Sequence, residues 1–479
     1  MSSPTDIRSD FRPAENEASF APTESPVIDS ARTGRGTDRA RTWLGIGQSS
    51  GPRDRYLDGL RAVAVTSVVA YHSWQFAGMP NIGWWRIPIS CGYLGVDLFF
   101  VLSGFLLARP WFSSELTGKP KPSLRTFWSR RLRRIAPAYY ASVIVVLTLG
   151  LGTPLLPRSA IEGSLGAWNL GSILLLVQNY VPLASNNLGG IGGPWWTLSL
   201  ELTWYVVLPV VVLGFIGRRW RVTLPVLLAV SVAWIFLSAN WFDPLIHFMQ
   251  STISPTTSTT LGVPNDELRM RQLLLKQLPA YLFEFGIGVA LARLEVIKRL
   301  APAKSTLWWT WPAIPVAAFC AGVFWLAATQ ISLFMTWIHP TAGGVQWIRY
   351  SHTVFAIGIG LCVFGIAFGP KVLRAPFTIL PARYIGWVSY GIYLYHVPIW
   401  FWTSQHWHRS PDSAAEAYLT VFLAVLGAST LAATISWLLI ERPFLAGSGV
   451  RSRSAVAVVV VLAVALVATC LFSGRALLS

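Results

Sequence analysis

The chain has 479 residues and a formal net charge of +17, yet only 12% of its residues are charged and 53% are hydrophobic. A soluble domain carries about 25% charged residues, so this composition and the mean hydropathy of +0.51 exclude a soluble globular protein. The positive charge points away from nucleic acid, because Lys and Arg cluster between apolar runs, as in the cytoplasmic loops of membrane proteins. The sequence predicts an all-α polytopic protein of the plasma membrane, with about 10–11 transmembrane helices in the lipid bilayer.

Residues 1–53 form a polar segment rich in Pro, Ser, Thr, Gly and Arg, without an apolar period. That composition cannot bury a core, so we expect a disordered tail. The segment lacks the apolar core of a secretory signal peptide, and its arginines predict a cytoplasmic N-terminus.

Apolar runs of spanning length follow the tail in chain order. The first two, 56–78 and 91–110, enclose a Trp-bearing loop, and the most basic loop of the chain, 119–134, leads into the third, 135–151. The later predicted spans are 193–217, 222–240, 272–294, 308–333, 349–369, 383–403, 415–440 and 455–472.

Residues 168–186 are apolar enough to suggest one more span. If they crossed, every later basic turn would lie outside; if they do not cross, all of those turns lie inside. We therefore interpret 168–186 as a re-entrant or surface-lying helix at the outer face. The predicted domains are a tail (1–53), a transmembrane domain (54–445) and an extra C-terminal transmembrane helix (446–479).

The first span carries Asp58, Arg61 and His72. A charged side chain inside a bilayer costs at least a few kcal/mol, so it persists only where it is paired, hydrated or functional. Arg61 and His72 share one helix face, since eleven residues make three turns, and lie roughly 16 Å apart along the axis. This helix offers a cation near one membrane surface and a titratable base near the other.

Polar residues recur in later spans. Asp97 either has a function or pairs with a neighbour for stability, and Ser103 precedes a glycine that permits close helix packing. Glu201 lies about two turns into its helix, where it needs a cation, a donor or a proton. Its partner could be His72, Arg61 or His396, and the sequence does not choose among them. A lone buried histidine such as His396 is more often structural than catalytic, and the role of His352 is open.

Several catalytic motifs are missing from the sequence. It contains no P-loop and no HExxH zinc site, and a GxSxG match at 47–51 lies in the polar tail, outside any strand–turn–helix context. The four cysteines are scattered without a CxxC pair, so we expect neither a metal site nor a disulfide.

Six sequence motifs follow one another in an order that is typical of one protein family. An Arg–ten residues–His motif runs from Arg61 to His72, GVDLFFVLSGFLL begins at 95, and RRLRRIAP holds Arg131 and Arg134. PWWTLSLELTWY carries Glu201, and SYGIYLYHVPI and a late Glu-Arg-Pro complete the set. Over 54–445 the chain resembles the membrane-bound acyltransferase-3 family, whose members O-acylate sugars, glycolipids, cell-wall polymers or macrolide antibiotics.

The resemblance implies an acyl-CoA donor, commonly acetyl-CoA, from the cytoplasm, and no permanently bound cofactor or metal. His72 would handle the proton of the acceptor hydroxyl, Arg61 would act on the donor side, and the arginines of the basic run would hold the donor phosphates. A simpler interpretation of the basic run is a topogenic cytoplasmic segment. The candidate catalytic residues are His72, Arg61, Glu201 and Asp97, and the candidate donor-binding residues are Arg131, Arg134, Ser103 and His396.

The sequence departs from the family pattern in two places. Thr197 stands where Ser is usual, and the fused C-terminal hydrolase-like domain of some relatives is missing, so we expect the membrane part to act alone or with a separate partner. A surface glycan or glycolipid is the first acceptor expected, and a macrolide-type molecule is the next. Two other classes remain open: a transporter with a proton relay of Asp97, Glu201 and His396, and a non-catalytic membrane scaffold.

Overall fold

The computed structural model describes residues 54–150, 156, 163–181, 192–251, 267–301, 307–339, 342–406 and 413–445. Helices make up nearly all of this part of the chain, which confirms the all-α prediction. The predicted tail 1–53 and the predicted span 455–472 lie outside the described residues.

Seventeen α-helices follow one another in the described part, and a π-helical turn, Trp437–Glu441, joins the last two. In chain order they are α1 (Arg55–Phe76), α2 (Arg86–Ser90), α3 (Gly95–Thr117), α4 (Leu124–Gly150), α5 (Gly163–Leu174), α6 (Trp196–Gly214), α7 (Trp220–Asn240), α8 (Asp243–Ser251), α9 (Glu267–Leu275), α10 (Leu278–Leu300), α11 (Ala313–Ile338), α12 (Ala342–Phe368), α13 (Lys371–Thr378), α14 (Leu380–Trp387), α15 (Ser389–His406), α16 (Ala414–Ser436) and α17 (Arg442–Leu445).

Six helical segments of the described chain are long and apolar enough to cross a membrane. They are Gly83–Thr117, Gly193–Gly214, Trp220–Asn240, Ala313–Ile338, Trp347–Phe368 and Ala414–Leu445. The protein is therefore a multi-pass membrane protein. The larger count of 10–11 spans stays a prediction, because α1, α4, α10 and α15 are less apolar along their lengths.

The helix bundle has two chemically different ends. Asp54, just before α1, contacts Arg109 late in α3 at 3.0 Å, and Gly95 at the start of α3 packs on the backbone of Ala64. Helices α1 and α3 are therefore antiparallel. We call the end that holds Asp54, Arg109 and the α3–α4 connection the basic end, and the end that holds His72 and Asp97 the histidine end.

An ion cluster joins three helices at the basic end. Asp54 accepts from Arg109 at 3.0 Å and from Arg299 at 2.8 Å. Glu295 contacts the same two arginines. Removing one partner from such a network leaves a charge without compensation, so the cluster holds the first turn of α1 against α3 and α10.

The basic run predicted as a loop is helical, which corrects the boundary of the third span. Helix α4 begins at Leu124, and α3 continues past Pro110 to Thr117. The fully buried Phe112 anchors the last turns of α3, and the helix ends where Gly118 adopts a left-handed φ of 69°. The connection between the two helices is therefore short.

Two predicted spans are each divided by a break. The run 272–294 separates into α9 and α10, because Pro279 lacks an N–H and restricts the residue before it. Gln277 is extended there, and the side chain of Asn179 donates to the carbonyl of Lys276 at 2.9 Å. The run 383–403 is divided at Val388, where α14 ends beside α1 with Gly386 against the backbone of Asp58.

The described part of 168–186 does not continue as a spanning helix. Helix α5 has 12 residues, a length of about 18 Å, and Leu176 then turns the chain with a φ of 58°. The next two polar side chains support other backbone: Gln178 donates to the carbonyl of Trp195, and Asn179 donates to that of Trp196.

Candidate active site

The imidazoles of His72 and His396 meet at the histidine end. His72 Nδ1 lies 2.9 Å from His396 Nε2, and His396 Nδ1 lies 2.8 Å from the carbonyl oxygen of Tyr393. A carbonyl oxygen only accepts, so a neutral His396 donates its Nδ1–H to it and accepts at Nε2. His72 Nδ1–H must then donate to His396, which leaves His72 Nε2 with a lone pair.

The packing of His72 turns it towards the bundle. Its ring stacks on Phe76 at 5.5 Å and lies 5.3 Å from Tyr71, centroid to centroid. His396 is only 1% exposed. The pair therefore faces neighbouring helices and not surrounding lipid.

The start of α6 supports this pair through one hydroxyl chain. Thr197 Oγ1 donates to the hydroxyl of Tyr393 at 2.8 Å, and that hydroxyl donates to the carbonyl of Pro194 at 2.6 Å. Tyr393 is also the residue whose carbonyl fixes His396. The threonine at 197 thus keeps the hydroxyl that the usual serine would supply.

A second polar group surrounds Arg61, closer to the basic end. Its guanidinium lies 3.6 Å from Asp58 and within electrostatic range of Arg131, Arg134 and Glu201. The Arg61 side chain is 20% exposed. The three candidate arginines and the candidate glutamate therefore occupy one region.

Glu201 receives two hydroxyl groups. Tyr205, one helical turn further along α6, donates to it at 2.5 Å, and Ser103 from α3 donates at 3.5 Å. Among the described residues, the hydrogen-bond partners of Glu201 are therefore two hydroxyl groups, and not His72, Arg61 or His396, the three partners considered from the sequence. The i, i+4 spacing of Glu201 and Tyr205 is the sequence signal that predicts this contact.

Arg131 lies in the part of α4 that precedes its apolar stretch. Its guanidinium sits over the ring of Phe127 at 5.8 Å. Burial lowers the pKa of this guanidinium, an effect opposed by the nearby phenol of Tyr205. An arginine remains cationic in proteins nevertheless, so a half-buried positive charge is held beside Glu201 and Arg134.

Asp97 belongs to a third group, apart from His72. Its carboxylate is fully buried and accepts from His352 Nδ1 at 2.8 and 3.0 Å. His352 lies 255 positions along the chain, and no local pattern linked the two residues. The eight candidates therefore fall into three places: His72 with His396, the Arg61–Glu201 region with Ser103, Arg131 and Arg134, and Asp97 with His352.

His396, expected among the donor-binding residues, contacts His72 instead. A role of His396 in donor binding stays a prediction. Within the described residues, no group of three or more His, Cys, Asp or Glu side chains is arranged to hold a metal ion.

A multi-pass helical protein with an oriented imidazole at one end and clustered arginines towards the other has the features of a membrane-embedded group-transfer enzyme. The chain belongs to the acyltransferase-3 family, because that family's model, described as an acyltransferase domain, matches residues 54–441. Residues 54–441 therefore form an acyltransferase domain of this family.

Relatives come from distant bacteria. The peptidoglycan O-acetyltransferase OatA of Listeria monocytogenes is 26% identical over 390 residues, which cover 81% of this chain and 55% of the relative. The O-acetyltransferase OatA of Staphylococcus aureus is 28% identical over 394 residues, which cover 81% of this chain and 56% of the relative. Nodulation protein 10 of Rhizobium leguminosarum is 26% identical over 413 residues, covering 82% and 94%.

The chain spans about half the length of the two OatA proteins. No solved structure was found to match it.

Proposed function

We propose that the protein transfers an acyl group, acetyl in the first instance, from cytoplasmic acyl-CoA to a hydroxyl of a cell-surface glycan or glycolipid at the plasma membrane. The relatives named O-acetyltransferases, one of them for peptidoglycan, support the acyl group and the glycan class.

The observation that carries the proposal is the hydrogen-bond chain from Tyr393 through His396 to His72. It leaves His72 Nε2 as an acceptor before any substrate binds. A general base must hold a lone pair towards the hydroxyl it deprotonates. The geometry thus supports His72 as the base.

In the proposed reaction, His72 Nε2 takes the proton of the acceptor hydroxyl while the hydroxyl oxygen attacks the carbonyl carbon of the thioester. A carbon–oxygen bond forms and the carbon–sulfur bond breaks. The departing thiolate takes the proton from His72, so the products are an ester and free CoA. Atoms and charge balance without a further reagent.

Arg61 acts on the donor in this scheme. It lies three helical turns from His72, roughly 16 Å along the axis, so both side chains cannot touch one reacting carbon. An extended thioester running along α1 would meet Arg61 near the basic end and His72 at its acyl group. Arg131 and Arg134 would hold the donor phosphates, since arginine binds phosphate through paired N–H groups.

The arrangement gives less support to the transporter alternative. A proton relay of Asp97, Glu201 and His396 would need those side chains to touch. Instead, Asp97 bonds His352, Glu201 bonds Tyr205, and His396 bonds His72.

The test is His72→Ala in isolated membranes supplied with labelled acetyl-CoA. Loss of the base should lower kcat for acetyl transfer by about 10²–10⁴-fold. His339→Ala is the matched control, because His339 is exposed at the end of α11, and its rate should stay at the wild-type level.

A His72→Ala enzyme that folds normally and still transfers label at the wild-type rate would overturn the assignment. His72→Gln keeps a polar side chain of similar size and is therefore less prone to a folding defect. The assignment requires that both His72→Ala and His72→Gln lose activity.

A further inference from the structure

Asp97 and His352 form a carboxylate–imidazole pair that the proposed reaction does not use. Both oxygens of Asp97 lie within hydrogen-bond distance of His352 Nδ1, at 2.8 and 3.0 Å. The carboxylate is completely buried, whereas the side chain of His352 is 22% exposed. A neutral His352 therefore gives its Nδ1–H to Asp97 and keeps a lone pair at Nε2. We call these two residues the dyad.

The imidazole of the dyad is held in one orientation. The rings of Tyr93 and Tyr281 pack against it at angles of 68° and 71°, with centroids 5.6 and 5.2 Å away. Asp97 occupies the Nδ1 side of the ring, so the accessible part is the side that carries Nε2. Within the part of the chain that the structure describes, Asp97 is the only hydrogen-bond partner of the His352 side chain. The lone pair at Nε2 is thus available to a ligand.

The imidazole lines a pocket of about 300 Å³ at the histidine end, between α7, α9, α10 and α12. Small-molecule sites begin at about this volume, so the pocket has room for one sugar ring. Three cations also line it, and each of them interacts with other groups of the protein: Arg271, Lys276 and Arg349. Their charges therefore give no reason to expect an anion, whereas His352 presents a hydrogen-bond acceptor.

An acceptor of this kind selects a hydrogen-bond donor. A lone pair on nitrogen binds an N–H or O–H group, and the hydroxyl is the donor that a neutral sugar offers. The carboxylate of Asp97 makes Nε2 a stronger acceptor, as carboxylates do behind histidines that bind metals. The chemistry of the dyad therefore fits a sugar hydroxyl.

Aromatic rings connect the dyad with the proposed base. Tyr93, which contacts His352, lies 5.2 Å from Tyr71, and Tyr71 lies 5.3 Å from His72, centroid to centroid. Tyr71 and Tyr93 are only half-buried, and accessible aromatic side chains are typical of small-molecule sites. A molecule bound at the dyad would extend along these rings towards His72.

We propose that the dyad binds a hydroxyl group of the acyl acceptor, which donates to His352 Nε2, so that the acceptor is a sugar held by a hydroxyl other than the one that is acylated. The word acceptor rests on the proposed function, whereas hydroxyl binding in the pocket does not. Asp97 is a positioning residue here, because it fixes the tautomer of His352 and does not touch the ligand.

The experiment measures binding to the purified full-length protein in nanodiscs, with no acyl donor present. The probes are methyl glucoside and its singly deoxygenated analogues, each of which lacks one hydroxyl. His352→Phe removes the acceptor, and His339→Phe is the matched control, because His339 is exposed at the end of α11 and does not line the pocket. The double variant Asp97→Asn/His352→Phe also removes the buried charge that the single variant leaves unpaired, and so guards against misfolding.

We expect one deoxygenated analogue to bind the wild-type protein about tenfold more weakly than methyl glucoside does, because it leaves the lone pair of His352 without a donor. The difference should disappear in His352→Phe and in the double variant, and His339→Phe should keep it. Failure of the wild-type protein to bind methyl glucoside, equal binding of methyl glucoside and every analogue, or a tenfold difference that survives in His352→Phe overturns the proposal.

Asp97→Asn tests the positioning role of Asp97. An amide N–H donates to His352 Nδ1, which moves the ring proton to Nε2 and removes the lone pair. An analogue with fluorine in place of the selected hydroxyl accepts weakly and cannot donate. It should bind the wild-type protein no better than the deoxygenated analogue and bind Asp97→Asn better than that analogue. The same order in both proteins would contradict positioning by Asp97.

The binding measurement on His72→Ala separates this inference from the proposed function. The tenfold dependence on one hydroxyl should persist in that variant, and its persistence supports the dyad even if the transfer assays fail. Loss of the dependence in His72→Ala would contradict hydroxyl binding at His352.

Discussion

His396 is an acceptor and a donor at once, and this double role fixes the tautomer of its neighbour. Its Nδ1–H is occupied by the carbonyl of Tyr393 and its Nε2 by His72. We therefore regard His396 as a positioning residue for His72 and not as a group that touches substrate.

Replacing His396 with Phe should leave His72 Nδ1–H without an acceptor. Loss of that bond should lower kcat about 10–100-fold, with little change in the KM for acyl-CoA. His396→Gln should recover part of the rate, because an amide oxygen also accepts. Steady-state kinetics of the three proteins decide the matter, and equal rates for the Phe and Gln variants would contradict positioning.

At the scale of single residues, the sequence predicts candidate site residues but not how they pair. Arg61, His72 and His396 stood out because ionisable groups are costly in apolar helices. The contact between His72 and His396 joins residues 324 positions apart, and Asp97 and His352 are 255 apart. Such contacts depend on helix packing, which one sequence does not encode in any local pattern.

Among the elements, α3 and α10 pack closely against each other through glycines. A side chain at Gly104 would meet the backbone of Phe285 and the Cα of Gly288. Small residues let helices approach in this way in membranes, and here the approach keeps α3, which carries Ser103, against the core.

Gly104→Ala should destabilise the protein by about 1–3 kcal/mol, the usual cost of overpacking. Gly427→Ala is the matched control in α16, since nothing lies within 4 Å of the added carbon, and alanine is the better helix former. Unfolding midpoints in detergent should fall for the first variant and hold or rise for the second. Equal midpoints would show that the α3–α10 contact is looser than described.

Most of the long helices coincide with predicted spans because apolar length locates a span. The errors have specific causes. The basic run is part of α4 because arginine is a good helix former, whereas its polarity alone predicts a loop. The break before α10 follows from Pro279, and α5 is short because the chain turns at Leu176. Neither feature changes the apolar pattern that predicts a span.

For the whole molecule, the difference between its ends predicts its orientation. The basic end carries the α3–α4 connection and the arginines at the start of α4, and such charge stays on the cytoplasmic side. The histidine end should then face outwards, with the acceptor.

Single cysteines in a cysteine-free background test this orientation in intact cells. Ala77→Cys, just past α1, should react with a membrane-impermeant thiol reagent added outside, and Lys121→Cys, between α3 and α4, should react only after permeabilisation. Both positions are exposed, so access alone separates them. The reverse labelling pattern would place the basic end outside and exclude a cytoplasmic donor at Arg131 and Arg134.

The hydrogen-bond chain from His72 through His396 ends at the backbone carbonyl oxygen of Tyr393, so it offers no onward path for a proton. A carbonyl of this kind is too weak a base to carry a proton onward. Under the proposed reaction, the positive charge gained when the alcohol is deprotonated stays on the two rings until the departing sulfur removes it. Each turnover is then electrically silent, and the voltage across the bilayer neither drives nor slows the chemical step.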